Sequence, residues 1–148
     1  MKRLTDLRDA LRSFRDRLDF EMAEITETEE ARRRITEANV SQLYDYGRRA
    51  DGREITPPYA ESTIKRKRRR GQPTNRVTLR DTGAMHSRLQ VVADDADLFL
   101  YSDRPYVRYL LERYGKEIFG LTEEAARRIA REVYAPALLR RLRLLLGK

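Results

Sequence analysis

The stretch VTLRDTGAMHSRLQV, Val77 to Val91, decides how the chain folds, because it passes from a strand-like pattern through a turn and back to one. Arg76-Val77-Thr78-Leu79-Arg80 alternates polar with apolar residues and carries β-branched side chains, which predicts a short strand. Asp81-Thr82-Gly83 follows. Asp81 and Thr82 are residues whose side chains accept backbone hydrogen bonds, and Gly83 tolerates positive φ, so the tripeptide reads as a turn. After it, Leu89-Gln90-Val91-Val92, the acidic pair Asp94-Asp95 and Leu98-Phe99-Leu100-Tyr101 make a β-hairpin.

Outward from this stretch the periodicity is helical. Leu4, Leu7, Leu11, Phe14, Leu18, Met22 and Ile25 recur at threes and fours, which predicts one long amphipathic helix. Its stripe of Leu4, Leu7, Leu11, Phe14 and Leu18 is a candidate subunit interface, since a heptad-like face suits a partner helix as well as its own domain. Thr26 with Glu29 resembles a capping box for a second helix from about Thr28 to Tyr46, which Gly47 ends. Downstream, Val107, Leu110, Leu111 and Tyr114 predict a helix stopped by Gly115. Another starts at Thr122, with Ile129 and Val133 buried, and Pro136 should kink or break it. Leu138, Leu139, Leu142, Leu145 and Leu146, interleaved with Arg140, Arg141 and Arg143, make a basic amphipathic end.

The fold class is therefore α+β. Long N-terminal helices and C-terminal helices pack on a small antiparallel sheet, with an irregular basic arm between them. At 148 residues one domain is expected: a helical part over 1–46, an extended basic arm over 47–75, and the hairpin plus C-terminal helices over 76–148. In the arm, Asp51-Gly52 and Pro57-Pro58 signal irregular backbone, and the basic segment, short helical or extended, ends at Gly71-Gln72-Pro73.

Charge is unevenly placed. The net +8 divides into −2 over residues 1–62, +8 over 63–80, −4 over 81–103 and +6 over 104–148. The excess sits in Lys65, Arg66, Lys67, Arg68, Arg69 and Arg70, a block suited to an anionic partner, DNA or an acidic protein face, or to a solvated loop. No aromatic residue interleaves it between Ile64 and Val77, so bases have no stacking platform there. The chain has no cysteine and one histidine, His86. That excludes disulfides, thiolate zinc sites, a cysteine nucleophile and a multi-histidine metal site. No cofactor is implied. The charged start at Met1-Lys2-Arg3 is unlike a secretory signal, and the longest apolar run, Leu144-Leu145-Leu146, is too short to span a bilayer, so an intracellular origin without a membrane partner is expected.

Asp81-Thr82-Gly83 also matches the tripeptide of retroviral-type aspartic proteases, which would require a homodimer with two facing carboxylates in a dry loop. Arg80 directly precedes Asp81, and no glycine-rich flap follows. No other catalytic constellation stands out. A second reading is a small basic DNA-binding protein, although no helix-turn-helix or ribbon pattern places a recognition element.

One resemblance covers roughly Val40 to Ile129. Gln42-Leu43-Tyr44-x-x-Gly47, Pro58-Tyr59-x-x-Ser62-Thr63-Ile64, Gly71-Gln72, Val77-Thr78-Leu79-Arg80-Asp81-Thr82-Gly83, Tyr114-Gly115-Lys116 and Ile118-Phe119-Gly120-Leu121-Thr122 occur in an order that resembles the phage tail-completion, or head–tail joining, proteins of virion morphogenesis. It is nearest to a branch found in phages and prophages of Bacteroidetes-like hosts. The resemblance implies a structural protein without enzymatic activity, made in the host cytoplasm and built into the virion at the head–tail interface as a homo-oligomeric ring. Other neck, portal or tail proteins would be its partners, with non-specific contact to packaged DNA. The helix over residues 1–25 lies outside the resemblance, so its removal is expected to leave a folded body. The isolated protein is expected to be a monomer with mobile ends or a loose oligomer.

Overall fold

The computed structural model describes residues 4–94 and 97–147. Met1-Lys2-Arg3 and Asp95 of the acidic pair lie outside them. The chain is α+β, with helices packed on one face of a two-stranded antiparallel sheet.

The N-terminal stripe does not form one unbroken helix. Helix α1 spans Leu4–Asp16 and α2 spans Leu18–Thr26, with Arg17 between them at φ −106°, ψ 7°. The two halves have different surroundings. No residue of α1 is buried, whereas α2 packs on the sheet and on the C-terminal helix and buries Ile25 and Thr26. Helix α3, Glu29–Tyr44, starts at Thr28, whose hydroxyl accepts the Ala31 N–H at 3.3 Å. The cap is thus Thr28 rather than Thr26. Thr26 instead donates to the Met22 carbonyl and shares a 2.6 Å hydrogen bond with the Tyr134 hydroxyl, tying α2 to the C-terminal helix. Beyond α3, Gly47 at φ +61° closes the end as expected: its N–H reaches the Leu43 carbonyl and that of Arg48 reaches Gln42. These two bonds satisfy carbonyls that the helix leaves over.

The segment over 47–75 is irregular at first but folded onto the body rather than extended from it. Ile55 is buried, its N–H bonds Gly47, and Arg48 and Glu54 form an isolated bridge. Most of the basic run lies in helix α4, Glu61–Arg69, with Arg66, Lys67, Arg68 and Arg69 in the last turn, where they suit the negative end of the helix dipole. Gly71, at φ +64°, follows it.

Arg76–Arg80 does not form a strand, which corrects the expectation from its alternation. Leu79 has φ +53°, a value that breaks the pleat and is uncommon for a residue with a Cβ. Val77, Thr78 and Leu79 are all buried. The N–H groups of Thr78 and Leu79 find a side chain instead of a ladder, donating to the Tyr59 hydroxyl at 2.9 and 3.2 Å. Helix α5, Ala84–Ser87, then leads into β1, Leu89–Asp94, and β2, Asp97–Ser102, in the register Val91↔Leu100 and Val92↔Phe99. Val91 and Leu100 face the core, and Val92, Phe99 and Tyr101 face out.

Helix α6 spans Val107–Tyr114 and ends at Gly115. A 3-10 turn over Lys116–Ile118 leads to α7, Glu123–Ile129, capped by Thr122. Pro136 does not break the last helical stretch. A π turn over Ala130–Tyr134 precedes it, and α8 continues over Ala135–Leu146. Proline lacks a donor and crowds the carbonyl one turn back, and a widened turn just ahead of it is one way to accommodate both.

Two buried clusters share α3. Its Ala31, Ile35 and Ala38 pack with Ile25, Val91, Leu100, Ile129 and Val133. Its Leu43 packs with Ile55, Val77, Leu79, Met85, Val107, Tyr114 and Ile118. Phe119 touches both. Between them, amides replace hydrocarbon: Asn39 donates to the carbonyls of Ile118 at 3.1 Å and Gly120 at 2.7 Å, while Gln42 donates to Gly120 and accepts from the Thr122 N–H. This clamp fixes the loop that joins α6 to α7.

Candidate functional site

The Asp-Thr-Gly turn forms one wall of a cleft of about 530 Å³ between α4 and α6. Its construction starts from Tyr59, whose hydroxyl holds the backbone of Thr78 and Leu79. The ammonium of Lys67 lies 4.9 Å from the centre of the Tyr59 ring, donates to Gln72 Oε1 at 3.0 Å and makes a short bond to the Arg80 carbonyl. Gln72 Nε2 then donates to the Asp81 carbonyl at 2.7 Å. In this way Lys67 of α4 and Gln72 just beyond it hold the carbonyls of Arg80 and Asp81.

Gly83, at φ +86°, begins α5, and the Ala84 N–H donates to the Thr82 hydroxyl at 3.3 Å. A Cβ at Gly83 would meet the Arg80 guanidinium at an ordinary contact distance of 3.5 Å. The constraint there is dihedral rather than steric. The turn expected from Asp81, Thr82 and Gly83 is present, but Asp81 contributes differently from the expectation: its carboxylate pairs with Arg70 at the surface. An acid pair of the protease kind needs the carboxylate in a dry loop facing its mate; here Asp81 is exposed and faces a guanidinium.

The basic run divides on folding. Lys67 is 3% exposed and does not face an external partner, which corrects its place among the partner-facing cations. Lys65, Arg66, Arg68, Arg69 and Arg70 are exposed, and Arg66 turns to the cleft. Arg80, 4.9 Å from the Tyr44 ring centre, and Arg113, stacked on Tyr114, complete its cationic lining. Leu79, Met85 and Leu110 supply apolar surface. Sequence reasoning missed Arg113 and Tyr59. Tyr59 entered the sequence analysis only as part of the resemblance, since nothing local marks its role beyond following Pro57-Pro58. Arg113 is an exposed cation one residue from Tyr114 of the apolar stripe of α6.

His86, one turn from Gly83, is mostly buried and its Nε2 has no hydrogen-bond partner among the described residues. Burial first, and then the nearby cations Arg80 and Lys67, lower its pKa from 6.5 to about 4, against a hydrogen bond with the Thr78 backbone that favours the charged form.

The expected interface stripe also divides. Leu4, Leu7 and Leu11 are exposed, Leu4 by 85%. Phe14 and Leu18 are half-buried, Phe14 beside Leu145 in a small hollow that the Glu21–Arg141 pair, at 2.7 Å, closes. At the other end of the chain Leu139, Leu144 and Leu145 are exposed as well.

Among the described residues no cluster of three potential metal ligands occurs, and no helix is long and apolar enough to cross a membrane. Comparison of the chain with protein families, with curated proteins and with solved structures gives no match.

Proposed function

We propose that the chain is a structural virion protein of the phage neck or tail top, forming a homo-oligomeric ring that joins or completes head and tail. The observation that carries this reading is α1: thirteen residues without one buried, presenting Leu4, Leu7 and Leu11 to water on a helix that meets α2 and α8. Exposed apolar stripes of this kind mark surfaces that another protein covers. The ordered pieces between Val40 and Ile129 supply the kind of assembly. Cryo-electron microscopy and mass spectrometry of particles from a phage that encodes the chain test it. The expected result is a few copies per particle arranged as a ring at the neck. Complete, infectious particles that lack the chain would overturn the reading.

Duplex DNA is a second partner on one specific ground, the solvent face of α4 with Lys65, Arg68 and Arg69 exposed together. Within a ring such a face would contact packaged DNA through phosphates, without reading sequence.

A further inference from the structure

We propose that the cleft between α4, the Asp-Thr-Gly turn and α6 receives the acidic hairpin tip of a neighbouring copy, so that copies join head to tail. This rests on the ring reading and names the contact that would build it.

Two unbalanced surfaces motivate it. In the cleft, the Lys67 ammonium has only neutral partners among the described residues, two oxygens and a ring, although it is almost wholly buried. Arg66, Arg80 and Arg113 line the same space with no ion pair among the described residues, and the acid beside them, Asp81, is taken by Arg70. At the hairpin tip, Asp94 and Asp97 are directly opposite in the register, both exposed and both without a cationic partner among the described residues. Like charges so placed repel, and an external cation relieves that repulsion.

The apolar surfaces agree with the charges. Strand side chains alternate, so Val92 and Phe99 share the outward face with Asp94 and Asp97 and form the next cross-strand pair. Both are exposed, Phe99 by 52%. The outward end of the hairpin is thus two carboxylates beside an aromatic ring, and the cleft offers guanidinium groups beside Leu110 and the exposed Tyr106. A duplex is a convex cylinder of phosphates and would leave the apolar part of the cleft unmatched.

The tip cannot turn back into its own cleft. Leu89 follows the cleft wall by one short helix, and the extended strand then carries Asp94 about 17 Å away. A contact between different patches of identical chains is heterologous, and it closes into a ring when the rotation allows.

Charge reversal tests this on the full chain. Asp94→Arg with Asp97→Arg sets cations against cations, and Arg66→Asp with Arg113→Asp sets acids against acids. In sedimentation velocity each variant alone is expected to self-associate at least about tenfold more weakly than wild type. An equal mixture pairs opposite charges at every junction and is expected to recover wild-type association. All four positions are exposed, and circular dichroism checks that both variants fold. Should either not fold, Asp97→Cys mixed with Arg113→Cys in this cysteine-free chain is expected to give a disulfide-linked dimer, and no dimer would count against the contact.

Variants that associate like wild type would overturn the interface while leaving the ring intact. Reversal in the cleft that weakens duplex binding but not self-association would assign the cleft to nucleic acid instead. A wild-type chain that stays monomeric at every concentration would overturn the head-to-tail contact, whereas only its absence from virions would remove the ring.

Discussion

Lys67 and Arg69 are two residues apart in one basic run, yet the fold treats them oppositely. Lys67 supports the backbone at Arg80 and holds Gln72, and Arg69 is exposed. Replacing Lys67 with Met keeps the aliphatic stem but leaves the Arg80 carbonyl and Gln72 Oε1 without their charged donor, at an expected cost of about 1.5–3 kcal/mol. Arg69→Ala is expected to stay within about 0.5 kcal/mol. Urea denaturation distinguishes the two, and equal midpoints would remove Lys67 from the support of the turn. His86 gives a pH signature at the same place. Its pKa is lowered in the folded chain to about 4 from 6.5, so between those values the unfolded chain binds more protons. Its contribution to stability is therefore complete above pH 6.5 and is lost as pH falls toward 4. With discounting for its partial solvent contact, the loss is on the order of 1–2 kcal/mol. Denaturation at pH 7 and at pH 4.5 should show a larger drop for wild type than for His86→Gln; parallel drops would mean that the imidazole is not the group responsible. The lone histidine was legible in the sequence, but not its burial, because the residues around it come from α4 and the Thr78 segment as well as from its own turn.

At the scale of elements, the pieces legible in the sequence were those with local signals. The hairpin, α6 and α3 lie where alternation, threes-and-fours spacing and Gly47 placed them. The pieces that differed are those decided by tertiary partners. Arg76–Arg80 alternates like a strand, yet no strand among the described residues pairs with it and a tyrosine hydroxyl takes two of its donors. The stripe from Leu4 to Ile25 has one period throughout, but only its second half meets the sheet. The expectation that removal of residues 1–25 leaves the folded body intact therefore needs correcting, since Ile25 is 2% exposed within the first core cluster and Glu21 pairs with Arg141. Deletion of residues 1–16 is expected to leave the melting temperature within a few degrees. Deletion of residues 1–25 strips Ile25 and the partly buried Leu18 and Met22, at about 1.5–3 kcal/mol for a fully buried side chain, and should take a large share of a margin of about 5–15 kcal/mol. Equal melting temperatures for the two truncations would show that α2 does not stabilise the body.

Across the whole molecule the placement of charge matters more than its sum. The cleft and its cations were not legible as a site, because Arg66, Arg80 and Arg113 are separated by long stretches of chain and come together only through Tyr59, Lys67 and the Asp-Thr-Gly turn. The basic run was legible, but as six equivalent cations. With Lys67 withdrawn into the protein, Arg70 paired to Asp81 and Arg66 turned to the cleft, three exposed cations, Lys65, Arg68 and Arg69, remain for phosphates on α4. Neutralising about three phosphates gives a slope of about −2.7 in log affinity against log salt, a loss of about fortyfold between ~50 and ~200 mM. A single chain is thus expected to bind duplex DNA weakly and without sequence preference at physiological salt, and a ring more tightly through repetition of the same face. Fluorescence anisotropy with two unrelated duplexes over a salt series measures both quantities. A much steeper slope, or sub-micromolar affinity for one sequence, would mean that further cations or base contacts take part, and would favour a DNA-binding protein over a ring whose positive face only tolerates the genome passing it.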